Sequence, residues 1–300
     1  MVFSSPVFLF IFMTSVYILY RMMPRMTAKN VLLLIFSIAF YTYGEPKAVV
    51  LMIISILMNY GFGLAMKQEN KARKPVLAVA VTANLIMLGI FKYAGFGADL
   101  LNSLPFVSVP VPKIALPIGI SFYTFQAMSY VIDAYKDPKY IQKNLYKLAL
   151  YITFFPQLVA GPIVKYYDFA DQIDHRRNDP EKTAQGIRRF IIGLSKKLLI
   201  ANTMALAADY VYGLDNSQLT LPLAWLGAVS YLFQIYFDFS GYSDMAIGLG
   251  AMFGFTFKEN FNYPYISQSM QEFWRRWHIS VSTWFKEYLY IPLGGNRKGR

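Results

Sequence analysis

One histidine in this sequence stands where its imidazole could do acid–base chemistry. His278 follows Arg275 and Arg276 in the run WRRWH, between long apolar segments. Burial and the two arginines would lower its pKa, which leaves a neutral ring nitrogen able to accept a proton from an attacking hydroxyl. The alternative is an ordinary buried imidazole that packs on Trp274 and bonds to the backbone. The other histidine, His175, lies in the polar run DQIDHRRND and is interpreted as part of a solvated loop.

The residues around His278 have helical spacing. Intervals of four, three and four predict one helix face shared by Trp274, His278, Val281 and Phe285. Glu272 and Arg276 are four residues apart and can pair across one turn.

Two carboxylates stand close together in the run DFSGYSD. Ser240 is expected to cap a helix that starts there, and Asp238 and Asp244 are expected to assist the cap and to pair with Lys258 or an arginine. A proton relay through the two aspartates is the alternative. Zinc is not expected, because two histidines without any cysteine do not supply the usual ligand set. No serine stands in a nucleophile-elbow motif.

The composition places these residues in a membrane protein. Of the 300 residues 56% are hydrophobic and only 15% charged, against about 25% charged in soluble proteins. The net charge of +12 lies in short loops between apolar runs, a pattern typical of cytoplasmic loops that meet anionic lipid. Membrane lipid is therefore an expected partner. Nucleic acid is not, because no motif for reading bases is present.

The order of apolar and basic segments predicts a multi-pass, all-α chain forming one domain over residues 1–300. The amino terminus is placed outside, and the predicted membrane segments are residues 2–20, 31–43, 48–66, 76–91, 116–132 and 221–237. Residues 183–212 are predicted to be helical, with the first half at the interface and the second half crossing the membrane. The run 148–164 has basic residues at both ends and contains Pro156 and Pro162, so it is interpreted as re-entrant or broken. After Ser240, a stripe of Ala246, Gly250 and Gly254 suits close helix contact.

Four runs carry a resemblance to a known family. They are LPIGISFYTFQAMSYVID (116–133), FFPQLVAGPI (154–163), GYSDMAIGLGAMFGF (241–255) and NFNYPYISQSMQEFWRRWHISVSTWFKEYLYIPLGGN (260–296). The sequence resembles the membrane-bound O-acyltransferases, and within them most closely the bacterial alginate O-acetyltransferase branch. That branch is itself similar to the teichoic-acid D-alanyl transfer proteins.

The resemblance implies a multi-helix bundle with re-entrant or broken helices around a transmembrane tunnel. It also implies a location in the bacterial inner membrane, acetyl-CoA as the acyl donor on the cytoplasmic side, and a polysaccharide acceptor outside. A bound cofactor is not implied, whereas an extracytoplasmic acetyltransferase partner is. His278 is then the first of two family histidines. The implied donor-binding residues are Trp274, Arg275, Arg276, Trp277, Asp238 and Asp244.

The sequence departs from the family pattern in one respect. The family's principal catalytic histidine lies in an apolar helix beyond the WRRWH run and is absent from these 300 residues. The expectation is therefore an amino-terminal portion, which need not be active by itself. Two other functions stay open: D-alanyl transfer to teichoic acid from a carrier protein, and a non-enzymatic role as a transporter or polysaccharide-export subunit.

Overall fold

The apolar sequence folds into helices, because backbone groups in a bilayer must find hydrogen-bond partners within their own segment. The structure is a computed structural model that describes residues 2–67, 73–104, 106–112, 114–159, 161–177 and 179–296, and no strand occurs in those ranges. The α-helices are α1 (Thr14–Met22), α2 (Met26–Gly44), α3 (Ala48–Ala65), α4 (Arg73–Asn102), α5 (Ile120–Lys136), α6 (Leu145–Thr153), α7 (Phe155–Leu158), α8 (Tyr166–His175), α9 (Pro180–Ser195), α10 (Asn202–Tyr212), α11 (Leu221–Met252), α12 (Met270–Arg276) and α13 (Ile279–Phe285). Shorter helical segments are π-helical Val7–Met13, Lys196–Ala201 and Lys286–Tyr290 and 3-10 Pro138–Tyr140 and Pro264–Ile266.

Within the described ranges, four helical segments are long and apolar enough to cross a membrane. They are Met26–Gly44, Ala48–Ala65, Arg73–Asn102 and Pro180–Tyr212, with 18 to 33 residues each. About 20 helical residues span the hydrocarbon core of a bilayer. The prediction of an all-α, multi-pass membrane protein is therefore confirmed.

Two predicted helix boundaries are wrong. The helix expected over 76–91 continues to Asn102, since residues 92–102 contain no proline and the helix accommodates Gly95 and Gly97. The segments expected before and after Ser240 form one helix, α11, so Ser240 lies in a helix interior and is not a cap. A helix interior leaves no open N–H groups for a cap to satisfy, and Asp238 and Asp244 must bond elsewhere.

The described chain divides into two compact units that alternate along the sequence. One unit comprises Met1–Met22, Ala160–Pro162 and Arg176–Glu287, and therefore holds α1 and α9 to α13. The other comprises Met23–Val159, Ile163–His175 and Tyr288–Arg300, and holds α2 to α8. The single domain expected from the sequence stays a prediction.

The unit that holds α2 to α8 has buried polar bonds between its helices. The side chains of Asn59 on α3 and Asn84 on α4 donate to each other at 2.8 and 3.1 Å, and both are fully buried. At the end of α5, buried Asp133 accepts hydrogen bonds from the Tyr288 hydroxyl at 2.9 Å and the Tyr167 backbone at 3.2 Å. Such paired polar groups fix the register of helices that have no hydrophobic preference for one another over lipid.

The run 148–164 is broken, as the sequence predicts. Helix α6 ends at Thr153, Phe154 adopts a non-helical backbone, and Pro156 stands in the first turn of α7. Proline is tolerated there because the first N–H groups of a helix have no partner within it. Phe154 and Phe155 are fully buried, so protein covers the break.

Glycines let α9 and α11 approach until their backbones touch. A Cβ atom on Gly193 would lie 2.5 Å from the Gly241 carbonyl oxygen, and one on Gly186 would lie 2.7 Å from the Gly248 carbonyl oxygen. The glycine earlier in α9 meets the glycine later in α11, so the two helices run antiparallel. The stripe expected from the sequence does not make this contact: Gly250 faces the ring of Phe257, and Gly254 lies beyond the end of α11.

Substituting Gly193 with alanine is expected to lower the free energy of unfolding by about 1–3 kcal/mol, the usual cost of overpacking. The new methyl group would meet backbone atoms, which cannot rotate away. Reversible unfolding in detergent micelles measures the effect. The matched control is Gly61→Ala on α3, where a Cβ meets nothing within 4 Å and where alanine also favours the helix. Equal effects of the two substitutions would show that α9 and α11 do not touch here.

Candidate active site

His278 lies at a break between two short helices. Trp277 is extended at φ −102° and ψ 129°, and His278 is left-handed at φ 45° and ψ 52°. The predicted continuous helix with Trp274, His278, Val281 and Phe285 on one face is therefore wrong. The left-handed region is sparsely populated by residues other than glycine, so surrounding bonds must hold the conformation.

Two backbone hydrogen bonds hold this break against the segment before α12. The Ile279 N–H donates to the Asn260 carbonyl and the Asn262 N–H donates to the Arg276 carbonyl, both at 2.9 Å. The predicted pair between Glu272 and Arg276 is confirmed, with Arg276 Nε 2.8 Å from Glu272 Oε1. The histidine is thus carried on a rigid reversal of the chain.

The imidazole of His278 is partly buried among uncharged groups. Its Nδ1 lies 3.1 Å from the side-chain oxygen of Asn260, and the ring of Phe239 packs against it at 4.7 Å between centroids. Burial lowers the pKa of His278 from 6.5 to about 4, so the ring is neutral near neutral pH. The sequence argument expected the neighbouring arginines to contribute, whereas the cause seen here is burial.

A polar cavity of about 550 Å³ lies next to this histidine. Asn260, its hydrogen-bond partner, and Ile279, its neighbour in sequence, both line the cavity, although His278 itself does not. Arg189 and Lys196 face the same space from the helical segment Pro180–Tyr212. Asp244 and Glu259 line the cavity as well, so its wall carries both signs of charge and is suited to a polar ligand.

The cations of the cavity are paired with carboxylates of the same unit. Asp244 accepts from Arg189 Nη2 and from Lys196 Nζ, each at 2.6 Å. Arg189 also pairs with Glu259 through two contacts. The expected pairing of Asp244 with an arginine is therefore confirmed, and the partner is Arg189. Asp238 pairs instead with Lys197, at 2.5 Å.

The other residues predicted for donor binding lie around α12. Trp274 and Arg275 are exposed, and Trp277 stacks on Phe273 at 5.6 Å. Arg276 donates to Glu272 and to the Asn262 carbonyl. None of these four tryptophan and arginine residues is among the described residues that line the cavity. Their role in binding the donor stays a prediction.

Two further predictions concern His175 and the binding of zinc. His175 is exposed at the end of α8, with its Nδ1 3.1 Å from the Asp171 carbonyl, as expected for a solvated position. In the described ranges, no three His, Asp or Glu side chains come together as a metal-binding group.

Sequence reasoning missed Asn260, Ser243, Arg189 and Lys196. Asn260 is fully buried and its amide donates to the Ser243 hydroxyl at 2.8 Å. The signal that could have found Asn260 is its place in the polar run KEN, immediately before an aromatic segment that leads to His278. Arg189 and Lys196 gave no signal of their own, because their partner Asp244 stands about fifty residues later in the chain.

These observations define an all-α, multi-pass membrane protein with a neutral, partly buried histidine beside a polar cavity. Residues 33–300 match the sequence model of the membrane-bound O-acyltransferase family. The chain belongs to this family.

Three relatives indicate the range of chemistry within the family. The chain is 48% identical to the probable alginate O-acetylase AlgI of Pseudomonas aeruginosa, over 99% of this chain and 58% of that protein. It is 36% identical to the peptidoglycan O-acetyltransferase of Helicobacter pylori, over 99% of this chain and 62% of that protein. It is 31% identical to the teichoic acid D-alanyltransferase of Bacillus subtilis, over 62% of this chain and 49% of that protein. The chain thus spans about 60% of the length of the O-acetylating relatives.

Proposed function

We propose that the complete protein transfers an acetyl group from a cytoplasmic donor to a hydroxyl of a cell-envelope polysaccharide. The single observation that carries the proposal is His278, a neutral histidine on a rigid chain reversal beside a polar cavity. Family membership and similarity to proteins named for O-acetylation of alginate and of peptidoglycan support it. The proposed reaction is the transfer of an acyl group to a hydroxyl oxygen, as the name of the family describes.

His278 acts in this proposal as a base or as a group that positions the donor. A neutral imidazole can accept a proton from the attacking hydroxyl, provided that one ring nitrogen carries a free lone pair. Nδ1 is occupied by Asn260, and Nε2 makes no hydrogen bond within the described part of the chain. The described part of the chain therefore leaves Nε2 without a hydrogen-bond partner of its own.

The proposed donor is acetyl-CoA, whose phosphates would bind arginine. Arg275 is exposed and can offer its planar fork to a phosphate. Arg276, Trp274 and Trp277 would shape the same end of the site. Asp238 and Asp244 would act on the donor indirectly, because each holds a cation by an ion pair.

The proposed setting is the inner membrane of a bacterium, with the acceptor polysaccharide outside. An extracytoplasmic acetyltransferase is the proposed protein partner. The basic residues in short loops between apolar runs support this orientation, and the bacterial relatives support the setting.

Membrane vesicles containing the complete protein, supplied with radiolabelled acetyl-CoA and an acetyl-free polysaccharide acceptor, test the proposed function. We expect label in base-labile esters of the polysaccharide. Transfer of D-alanine from a carrier protein without transfer from acetyl-CoA would instead place the protein with its D-alanylating relatives. Solute flux without either transfer would support the transporter alternative and overturn the proposal.

A further inference from the structure

Asn260 connects the candidate histidine to the wall of the cavity. Its side-chain oxygen accepts from the Ser280 N–H at 3.2 Å and from the Ser280 hydroxyl at 2.8 Å. His278 Nδ1 lies 3.1 Å from the same oxygen. On its other side, the Asn260 amide donates to the hydroxyl of Ser243, which lines the cavity. Both the oxygen and the nitrogen of this amide make hydrogen bonds, and the residue is fully buried.

The backbone of Ser280 fixes which way the Asn260 amide points. A backbone N–H can only donate, so the Asn260 atom that faces it must be the oxygen and not the nitrogen. The Ser280 hydroxyl lies 3.5 Å from His278 Nδ1 but donates to the Asn260 oxygen at 2.8 Å, so it is not the donor to this nitrogen. Because the Asn260 oxygen can only accept, its 3.1 Å contact with Nδ1 assigns the proton to Nδ1. In a neutral imidazole the lone pair then belongs to Nε2. The tautomer thus follows from the orientation of the Asn260 amide and from the hydrogen bond of the Ser280 hydroxyl.

We propose that Asn260 is a positioning residue that holds His278 in the Nδ1–H tautomer and presents Nε2 as the basic nitrogen. This inference rests on the proposed acetyl transfer. In that reaction the acceptor hydroxyl oxygen bonds to the acyl carbon while its proton moves to Nε2. The carbon–sulfur bond of the thioester breaks, and the sulfur leaves as a thiol with the proton that Nε2 returns. Atoms and charges balance without any further reactant.

The chain reversal has two main-chain hydrogen bonds besides the bond that the Ser280 N–H donates to the Asn260 side chain. The reversal is held by the backbone pairs Ile279 to Asn260 and Asn262 to Arg276, which do not involve the Asn260 side chain. A change in that side chain can therefore disturb the imidazole while the main-chain pairing remains. This separation is what makes the inference testable by substitution.

Magnetic resonance of histidine labelled at its ring nitrogens tests the tautomer in the complete protein. Subtracting the spectrum of His278→Gln isolates the signals of His278. Near neutral pH we expect Nδ1 to be protonated and Nε2 to be bare. A protonated Nε2 in the unsubstituted protein would overturn the proposal, whatever the activity.

Two substitutions of Asn260 separate positioning from folding. Asn260→Leu removes the acceptor, so we expect a mixture of His278 tautomers. We also expect kcat to fall on the order of 10- to 100-fold, the effect usual when a metal-binding histidine loses its hydrogen-bond partner. KM for the donor should change little. Asn260→Asp keeps an acceptor and adds a negative charge, so the tautomer should persist while the acid limb of the pH–rate profile moves up by about one unit or more.

The control and the remaining outcomes distinguish this inference from the proposed function. Asn216→Leu and Asn216→Asp change an exposed loop residue and should leave spectrum and rate unchanged. If Asn260→Leu fails to fold, the proposal is tested by the spectrum of the unsubstituted protein and by the Asn260→Asp variant. Unchanged His278 signals in Asn260→Leu would overturn the positioning role. If the His278 ring nitrogens give the expected signals but the complete protein transfers no acetyl group, the proposed function is overturned. The assigned tautomer of His278 would remain valid.

Discussion

Acetyl transfer by the complete protein should fall by roughly 100- to 10,000-fold when His278 is replaced by glutamine, the range for loss of a general base. Glutamine keeps polar atoms at the helix break but offers no nitrogen that can accept a proton. The initial rate of acetyl ester formation in membrane vesicles measures the loss. Protein abundance in the membrane should be unchanged, because the backbone bonds at the break remain.

The control for His278 is the same substitution at the other histidine. His175→Gln changes an exposed side chain at the end of α8 and should leave the transfer rate unaltered. Full activity in His278→Gln would leave this residue a purely structural role. Equal losses in both variants would point to a general defect in folding or insertion.

The burial of His278 also determines how the transfer rate depends on pH. Since the folded pKa of His278 is about 4 and its ordinary value is 6.5, the base stays neutral through pH 6.5. The transfer rate should fall only as the pH approaches 4. The free energy of unfolding should also fall at acid pH. The unfolded chain takes up the proton at a higher pH than the folded chain does, so the contribution of neutral His278 to stability is complete above pH 6.5. It is lost as the pH falls towards 4. A pH–rate profile with a half-point near 6.5 would contradict this burial.

Replacing Asp244 with asparagine is expected to lower the free energy of unfolding by about 3 kcal/mol, the lower end of the range for breaking a buried ion pair. The substitution leaves Lys196 without its carboxylate partner and removes one of two from Arg189. The lower end applies because both cations stay partly exposed and Arg189 keeps Glu259. Reversible unfolding in detergent measures the change.

Asp238 supplies the matched control on the same helix. Its side chain is 51% exposed, against 9% for Asp244, and among the described residues it pairs with Lys197 alone. Asp238→Asn should therefore cost less than about 1 kcal/mol, as exposed ion pairs usually do. If the two variants lose the same stability, burial of Asp244 is not what gives its ion pairs their strength.

The features predicted from sequence are those with local causes. The helices of the amino-terminal half follow from the length of apolar runs, and the break at Phe154 follows from Pro156. The pair of Glu272 and Arg276 follows from their spacing within α12. Each depends on residues a few positions apart, so inspection of one stretch of sequence suffices.

The features that sequence reasoning missed depend on distant residues. The left-handed conformation of His278 interrupts a good helical pattern, and it is held by the bond from the Ile279 N–H to the carbonyl of Asn260, eighteen positions before His278. The cavity receives Arg189 from another helix, through an ion pair with a residue fifty-five positions away. Helix α11 continues through Ser240, because nothing at that residue stops a helix. Periodicity within one segment contains no information on such partners.

The contact between α9 and α11 also bears on how the protein is made. Arg189, Gly193 and Lys196 precede Gly241 and Asp244 in the chain, so they leave the ribosome first. When Asp244 emerges, its cations already stand on a neighbouring helix that has a groove of glycines to receive α11. Because the two helices are close in sequence, the pair can assemble during synthesis as one helical hairpin. Asp244 can then pair with Arg189 and Lys196 as α11 packs against α9.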